Sequence, residues 1–331
     1  MSILKQKISR RQFINDTATI ASLPLISSGF ITSAEAKAPM LGIKQPKHIR
    51  FKLGDFELTN IVDCEEFIKG PYPIIGNNAT EKEVIALMKK NLLPENRYQP
   101  GFTPTVLNTG NELILFDTGN GDNGFIPKPK GGWLAEQIVE AGYKPEQIDI
   151  IIITHGHPDH VAGIIEHGKE IYPNARYVIG QKEYDYWAPI GKHSGNLENL
   201  AKVFRANTKT VAEKFTFIKP GDEVIPGIEA FDGFGHTPGQ LCFHVESKGQ
   251  KIFFWADCAH HHVASLARPD WHCVFDIDKE QGAKTRKRVY DMLAHDQTLV
   301  MGYHMPFPGL GYVERTGKDS YRWLQHSFQL K

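Results

Sequence analysis

Short apolar runs separated by polar, glycine-rich breaks set the plan of this chain. Residues 49–53 and 56–62 alternate apolar and polar positions around Gly54-Asp55, which predicts a β-hairpin. Residues 65–79, rich in Pro and Gly, show no period and are expected to form a long loop. Thr80, with Glu83 three positions later, supplies a capping box for a helix reaching about Leu92, and Pro94 ends it. Strands are expected at 105–109 and 112–116, joined by Gly110-Asn111, and the second runs into Asp117. A helix follows at 133–141 with Gly142 as its stop. The apolar strand at 148–154 suits a sheet covered on both faces.

Beyond it the pattern predicts a short helix at 160–167, a strand at 176–179 and a helix at 181–187. Residues 189–212 lack strand signals and read as a helical insertion or lid. Strands return at 215–218, 223–225, 228–231, 241–246 and 251–255; 278–294 is the last long helix and 299–302 the last core strand. Alternation of strands and helices on both sides of the middle indicates an α/β fold. Residues 111–117 and 250–257 echo one another, each a polar start, an apolar strand and a terminal Asp, as two βα halves packed face to face would show.

With 331 residues and 41% apolar content, the chain can bury a large core, as one large domain or two modest ones. No apolar run reaches the roughly 18 residues a membrane-spanning helix needs. Ser9-Arg10-Arg11-Gln12-Phe13-Ile14 is a twin-arginine pattern, followed by an apolar stretch at 18–32 and the small-residue triplet Ala34-Glu35-Ala36. Residues 1–36 are therefore expected to be a Tat export signal, and the protein periplasmic or otherwise exported. Without Lys5, Lys7, Arg10, Arg11, Asp16 and Glu35, 34 basic and 36 acidic residues remain, a net charge of −2 that gives nucleic acid no electrostatic attraction. The four cysteines, Cys64, Cys242, Cys258 and Cys273, form no CxxC pair; export permits disulfides, but spacing does not pair them.

The chemistry concentrates at Thr154-His155-Gly156-His157-Pro158-Asp159-His160, a turn directly after the apolar strand. Imidazoles and carboxylates are the ligand set of Zn²⁺ and neighbouring first-row ions. His155 and His157, two apart on an extended turn, can converge on one ion, while Asp159 and His160 face a second. Further candidates stand where strands end: His236 after 228–231, Asp257 after 251–255 and His304 after 299–302. Ligand sites of α/β folds collect at such ends. Two ions lower the pKa of a shared water and polarise the oxygen of the bond under attack, so the expected reaction is hydrolysis. Asp159 can also orient the hydroxide or protonate the leaving group. The run His260-His261-His262 reads as a solvated cluster rather than pocket lining, and Cys258 as a small buried residue.

The pattern resembles the metallo-β-lactamase superfamily, whose HxHxDH signature stands here as His155, His157, Asp159 and His160, with later ligands matching His236, Asp257 and His304. The resemblance implies a four-layer αβ/βα sandwich spanning 37–331 as a single hydrolase domain. It also implies one ion on His155, His157 and His236, a second on Asp159, His160 and His304, and Asp257 bridging them. Zinc is the first expectation for both ions, with Mn, Co or Fe as alternatives. The Asp after the equivalent strand supports the site in that superfamily, so Asp117 is either an acceptor behind a ligand His or a plain turn residue.

The bridging Asp points away from β-lactamases, and about 27 residues after His304 leave no room for a glutathione-binding helical domain. The stretches 226–228, 235–239, 245–251 and 304–309 resemble the group of N-acyl-homoserine lactonases and methyl-parathion-hydrolase-like enzymes. Ala256 departs from that pattern, where many relatives have Gly. The expected activity is hydrolysis of a small-molecule lactone or carboxylic ester, with phosphotriester turnover as a side activity, and a homodimer is an assembly the relatives suggest. A β-lactamase-like amidase and a non-catalytic envelope metal-binding protein are the alternatives.

Overall fold

The structure, a computed structural model, describes residues 38–42 and 44–327. The expected export signal lies outside the described residues. Residues from Pro46 onward form one compact unit, to which everything below refers.

The unit begins with the hairpin of β1 (His48–Leu53) and β2 (Phe56–Ile61), which pair antiparallel in the expected register. The long loop that follows is pinned by β3 (Ile68–Lys69), an isolated bridge from Ile75 to Cys273, and helix α1 (Glu81–Lys90). The Thr80–Glu83 capping box starts α1 as predicted. β4 (Arg97–Tyr98) pairs with β3. β5 (Thr105–Asn108), β6 (Leu113–Phe116), α2 (Leu134–Glu140), β7 (Ile150–Ile153) and α3 (Pro158–Val161) lead to the HxHxDH turn and through it. Next come β8 (Ile165–Glu166), β9 (Lys169–Glu170), β10 (Arg176–Gly180), α4 (Gln181–Trp187), α5 (Gly195–Thr208) and β11 (Phe215–Ile218). The second half holds β12 (Glu223–Ile225), β13 (Ile228–Asp232), β14 (Leu241–Ser247), β15 (Gln250–Phe254), α6 (Ala264–Ala267), α7 (Lys279–Asp296), β16 (Leu299–Met301), β17 (Leu310–Gly317) and β18 (Ser320–Gln325).

Two seven-stranded sheets result, ordered β1-β2-β5-β6-β7-β10-β11 and β12-β13-β14-β15-β16-β17-β18. The internal echo falls on their middles: β6 and β15 are each the fourth strand, antiparallel to one neighbour and parallel to the other. Their last residues, Phe116 and Phe254, stack across the sandwich with ring centroids 4.0 Å apart. The apolar character of β7 follows from its place. Ile150 and Ile152 join the layer between the sheets, while Ile151 and Ile153 pack outward against Ile138 of α2, Trp187 of α4 and Phe204 of α5. On the far side Phe253 and Trp255 pack against Val289, Tyr290 and Leu293 of α7. Helices, sheet, sheet and helices make the four-layer sandwich that the resemblance implied.

Two expectations are corrected and a third is met in part. The helix expected at 160–167 is only Pro158–Val161, and a small β8–β9 hairpin replaces the rest. A Cβ on Gly163 would lie 2.0 Å from the Thr118 carbonyl oxygen, and His167 and Gly168 both take the left-handed backbone that reverses the chain. Residues 299–302 are not the last core strand, because β17 and β18 extend the second sheet by a further hairpin. The 189–212 segment, expected as a helical insertion or lid, is helical: α5 fills most of it, with Ala201 and Phe204 fully buried in the outer core.

Candidate metal centre

The strand ends set the candidate groups at one rim of the sandwich. β7 delivers Thr154 and His155; Pro158 opens α3, which turns Asp159 and His160 back toward the rim. The β13–β14 connection carries His236, the end of β15 leads to Asp257, and the end of β16 to His304. Asp117, Ala256 and His304 are all left-handed at these junctions, with φ of 59°, 50° and 62°. Such backbone in residues with side chains concentrates at functional sites. All seven predicted groups are buried.

They gather as two clusters sharing Asp257. His155, His157, His236 and Asp257 form one; Asp159, His160, Asp257 and His304 form the other, each with its nitrogen and oxygen atoms within 4.8 Å of one another. In the first, His157 Nδ1 lies 3.2 Å from His155 Nε2 and 2.8 Å from His236 Nε2. In the second, His304 Nε2 lies 3.0 Å from Asp257 Oδ2 and 3.4 Å from Asp159 Oδ2, while His160 Nε2 lies 3.2 Å from Asp257 Oδ1.

The surrounding hydrogen bonds fix which nitrogens face inward. Asp117 Oδ2 accepts the Nδ1–H of His160 at 2.8 Å, and the Thr154 backbone N–H and hydroxyl hold the same carboxylate. Because the Thr154 hydroxyl donates to Asp117, it accepts from His155 Nδ1 at 3.1 Å. Asp276 Oδ1 accepts the Nδ1–H of His236 at 2.9 Å. Three imidazoles thus keep their Nδ1–H on these outer partners and turn Nε2 toward the centre.

The electrostatics ask for positive charge at that point. Burial holds His155, His157 and His236 below the usual imidazole range, so they are neutral donors. Burial raises Asp257, but His304, His160 and His155 outweigh it and hold its carboxyl well below the ordinary range. Burial likewise lowers His160, yet Asp257, Asp159 and Asp117 together push it up. Asp159 Oδ1, Asp257 Oδ1 and His160 Nε2 are buried without a hydrogen-bond partner. Converging lone pairs and unpartnered carboxylate oxygens fit divalent cations, the group that would satisfy them all.

Asp117 is an acceptor behind the His160 imidazole, the contact that one of its two readings expected. Asp276 is its counterpart in the first cluster and was not anticipated; it stands in the loop before α7, remote in sequence from every motif. Burial raises the Asp276 carboxyl, but Arg286, buried on α7 and 3.4 Å away, together with His236 and His260 outweighs it and keeps that carboxyl low. Asp276→Asn is expected to weaken one of the two ions by about 10–100-fold, since an amide can turn its NH₂ toward His236 and invert the tautomer. Ion content after dialysis against graded chelator checks this; wild-type retention of both ions would remove Asp276 from the supporting set.

A cavity of about 190 Å³ opens onto the centre, walled by Ile68, Phe102, Phe125, Ile126 and Phe275, with His157, Asp159, Asp257, His260 and His304 at its base. The solvated histidine cluster is corrected here. His260 and His261 are each 3% exposed, and His260 stacks on His304 with its Nε2 3.4 Å from Asp257. His261 turns away, its Nδ1 accepting the backbone N–H groups of Val263 and Ala264 at the start of α6. Burial lowers His261 to about 3 and His262 to about 4, so both are uncharged. The polar run reads as surface, but the fold backs it against α6 and Tyr98. All four cysteines are buried free thiols, and Cys242 and Cys258 touch at 3.6 Å.

Residues 103–281 match the metallo-beta-lactamase superfamily. Among solved structures, the hydrolase AbOPH of the beta-lactamase superfamily is 25% identical, covering 87% of this chain and 100% of its own, with a TM-score of 0.80. AidC, a dizinc quorum-quenching lactonase solved with a product, is 24% identical over 86% of this chain and 98% of its own, with a TM-score of 0.79. A probable metal-dependent hydrolase from Staphylococcus aureus is 19% identical over 85% of this chain and all of its own, with a TM-score of 0.68. No curated protein matches the chain.

Proposed function

Because the chain belongs to the metallo-beta-lactamase superfamily, we propose that this metal-dependent hydrolase is dinuclear and cleaves uncharged lactones or carboxylic esters, with phosphotriesters as slower substrates. His155, His157 and His236 would hold one ion and Asp159, His160 and His304 the other, with Asp257 between them. Such a pair, zinc being our first assignment, supplies a water of lowered pKa and polarises the oxygen of the bond under attack.

The chain's own groups do the rest. The free Oδ1 of Asp159 is placed to exchange a proton with the departing alcohol, while the Tyr303 hydroxyl, donating to the Asp159 carbonyl at 2.8 Å, fixes that residue's backbone. The observation that carries the reading is the pairing of the Asp257-centred clusters with a cavity none of whose lining residues is Lys or Arg. An anionic substrate would find no lysine or arginine there, whereas the aromatic walls suit an acyl or aryl group. The lactonase activity of AidC, whose fold is similar, supports this choice.

A panel of lactones, aryl esters, phosphotriesters and a chromogenic cephalosporin tests it. Lactone or ester kcat/KM at least about 100-fold above that for the cephalosporin, a gap of about 2.7 kcal/mol, is expected. The reverse order would favour an amidase. Absence of turnover with two ions bound, or turnover unchanged in a His155→Ala/Asp257→Asn double variant, would dismiss the catalytic assignment in favour of a metal-binding protein. We further propose export through the twin-arginine segment at 9–14, for which cell fractionation before and after Arg10→Lys/Arg11→Lys is the test.

A further inference from the structure

We infer that Glu183 is the positioning residue of the first ion, acting by clamping the turn that bears His155 and His157 to the separate turn that bears His236; this rests on the dinuclear reading above. Glu183 lies on α4, is fully buried, and spends its carboxylate on hydrogen bonds to groups other than the seven candidate ligands. Its Oε1 accepts the backbone N–H of Gly156 at 2.8 Å and the indole N–H of Trp187 at 2.6 Å. Its Oε2 accepts the Thr237 hydroxyl at 2.8 Å and the backbone N–H of Gly239 at 2.9 Å. Gly156 stands between His155 and His157, and Thr237 follows His236 directly. One carboxylate thus joins a turn of the first sheet to a turn of the second.

The surroundings are built for this contact. A Cβ on Gly156 would come within 2.4 Å of the Trp187 ring, and a Cβ on Gly239 within 2.2 Å of the Glu183 backbone nitrogen. Each ligand turn therefore carries a glycine where it meets the clamp, because a side chain there would push it away. Trp187 also meets the His157 imidazole edge-on at 5.6 Å, so the clamp reaches the middle ligand of the group as well. All four partners are donors, which requires the carboxylate; an amide would aim its NH₂ at two of them. In the second group His160 rests on Asp117 and the Asp159 backbone on Tyr303, and neither residue makes a hydrogen bond to Glu183.

A clamp on one group has an asymmetric consequence that a merely stabilising buried carboxylate lacks. Loss of Glu183 should loosen one ion and leave the other. The full chain is loaded with zinc, and release of the ions to a chromogenic chelator is followed. Glu183→Gln is expected to speed or weaken one of the two releases by about 10-fold or more, with the other within about twofold of wild type. Asp117→Asn, by contrast, is expected to disturb both ions, because Asp117 holds His160 directly and His155 through Thr154. Thr237→Val, which removes a single donor, should shift the same ion as Glu183→Gln by a few-fold, and it decides the matter by the same criterion if Glu183→Gln does not fold. Equal shifts of both ions in Glu183→Gln, or unchanged release with only a lower melting temperature of the metal-free protein, would overturn the inference. A wild-type protein holding fewer than two ions would instead overturn the dinuclear reading, before any variant is compared.

Discussion

Asp257→Asn is expected to lower kcat/KM for the best lactone or ester substrate by about 10³-fold or more, roughly 4 kcal/mol at ~1.36 kcal/mol per decade. The size follows from the number of partners on one carboxylate. Oδ2 faces His304, His236 and His260 at 3.0, 3.3 and 3.4 Å, and Oδ1 faces His160 at 3.2 Å. No other side chain belongs to both clusters. Asparagine keeps the shape but removes the charge and puts an NH₂, which has no lone pair to offer a cation, where a carboxylate oxygen stood. Steady-state kinetics with parallel ion analysis is the measurement. A loss below tenfold with both ions retained would remove Asp257 from the centre of the chemistry.

Chelation should unfasten the protein as well as silence it. An ion present at 100 times its dissociation constant stabilises the folded state by about 2.7 kcal/mol, so two contribute about 5 kcal/mol. For a chain of this size that corresponds to a fall in Tm of roughly 10–20 °C, taking about 2–4 °C per kcal/mol. Without the ions, buried oxygens of Asp159 and Asp257 are left uncompensated. Calorimetry of the dialysed protein, before and after zinc, manganese or cobalt is returned, measures the effect. A shift under about 2 °C, or activity that survives exhaustive chelation, would contradict a metal-dependent reaction.

Much of this site could be read before any fold was known, because its residues announce themselves locally. The HxHxDH run follows an apolar strand, and Asp257 and His304 directly follow strand ends that pattern alone marks. The echo between the two Asp-terminated strands survived as the central strand of each sheet. What escaped depends on neighbours distant in sequence. Asp276 and Glu183 look like ordinary acidic residues until the turns they hold fold against them. His260 belongs to a polar run whose burial comes from α6 and Tyr98, which composition does not register. The final hairpin was missed because Glu314, Arg315 and Lys318 give it the polarity of a tail, although its inward residues Leu310, Val313 and Tyr321 are buried. At Ala256 the departure from a common Gly gains a physical meaning, since the position is left-handed and a side chain there is strained.

The stacking of Phe116 on Phe254 joins two halves that contribute comparably to the rim, and this bears on the order of assembly. His157 and His236 meet across 79 residues of chain, and the Tyr303 hydroxyl reaches the Asp159 carbonyl across 144. Contacts so non-local are entropically late, because the intervening chain must already be compact before they form. A complete cradle for either ion exists only once the halves have docked, because each group draws residues from both. Metal then acts as a latch on a finished molecule, slowing its opening far more than it speeds its closure.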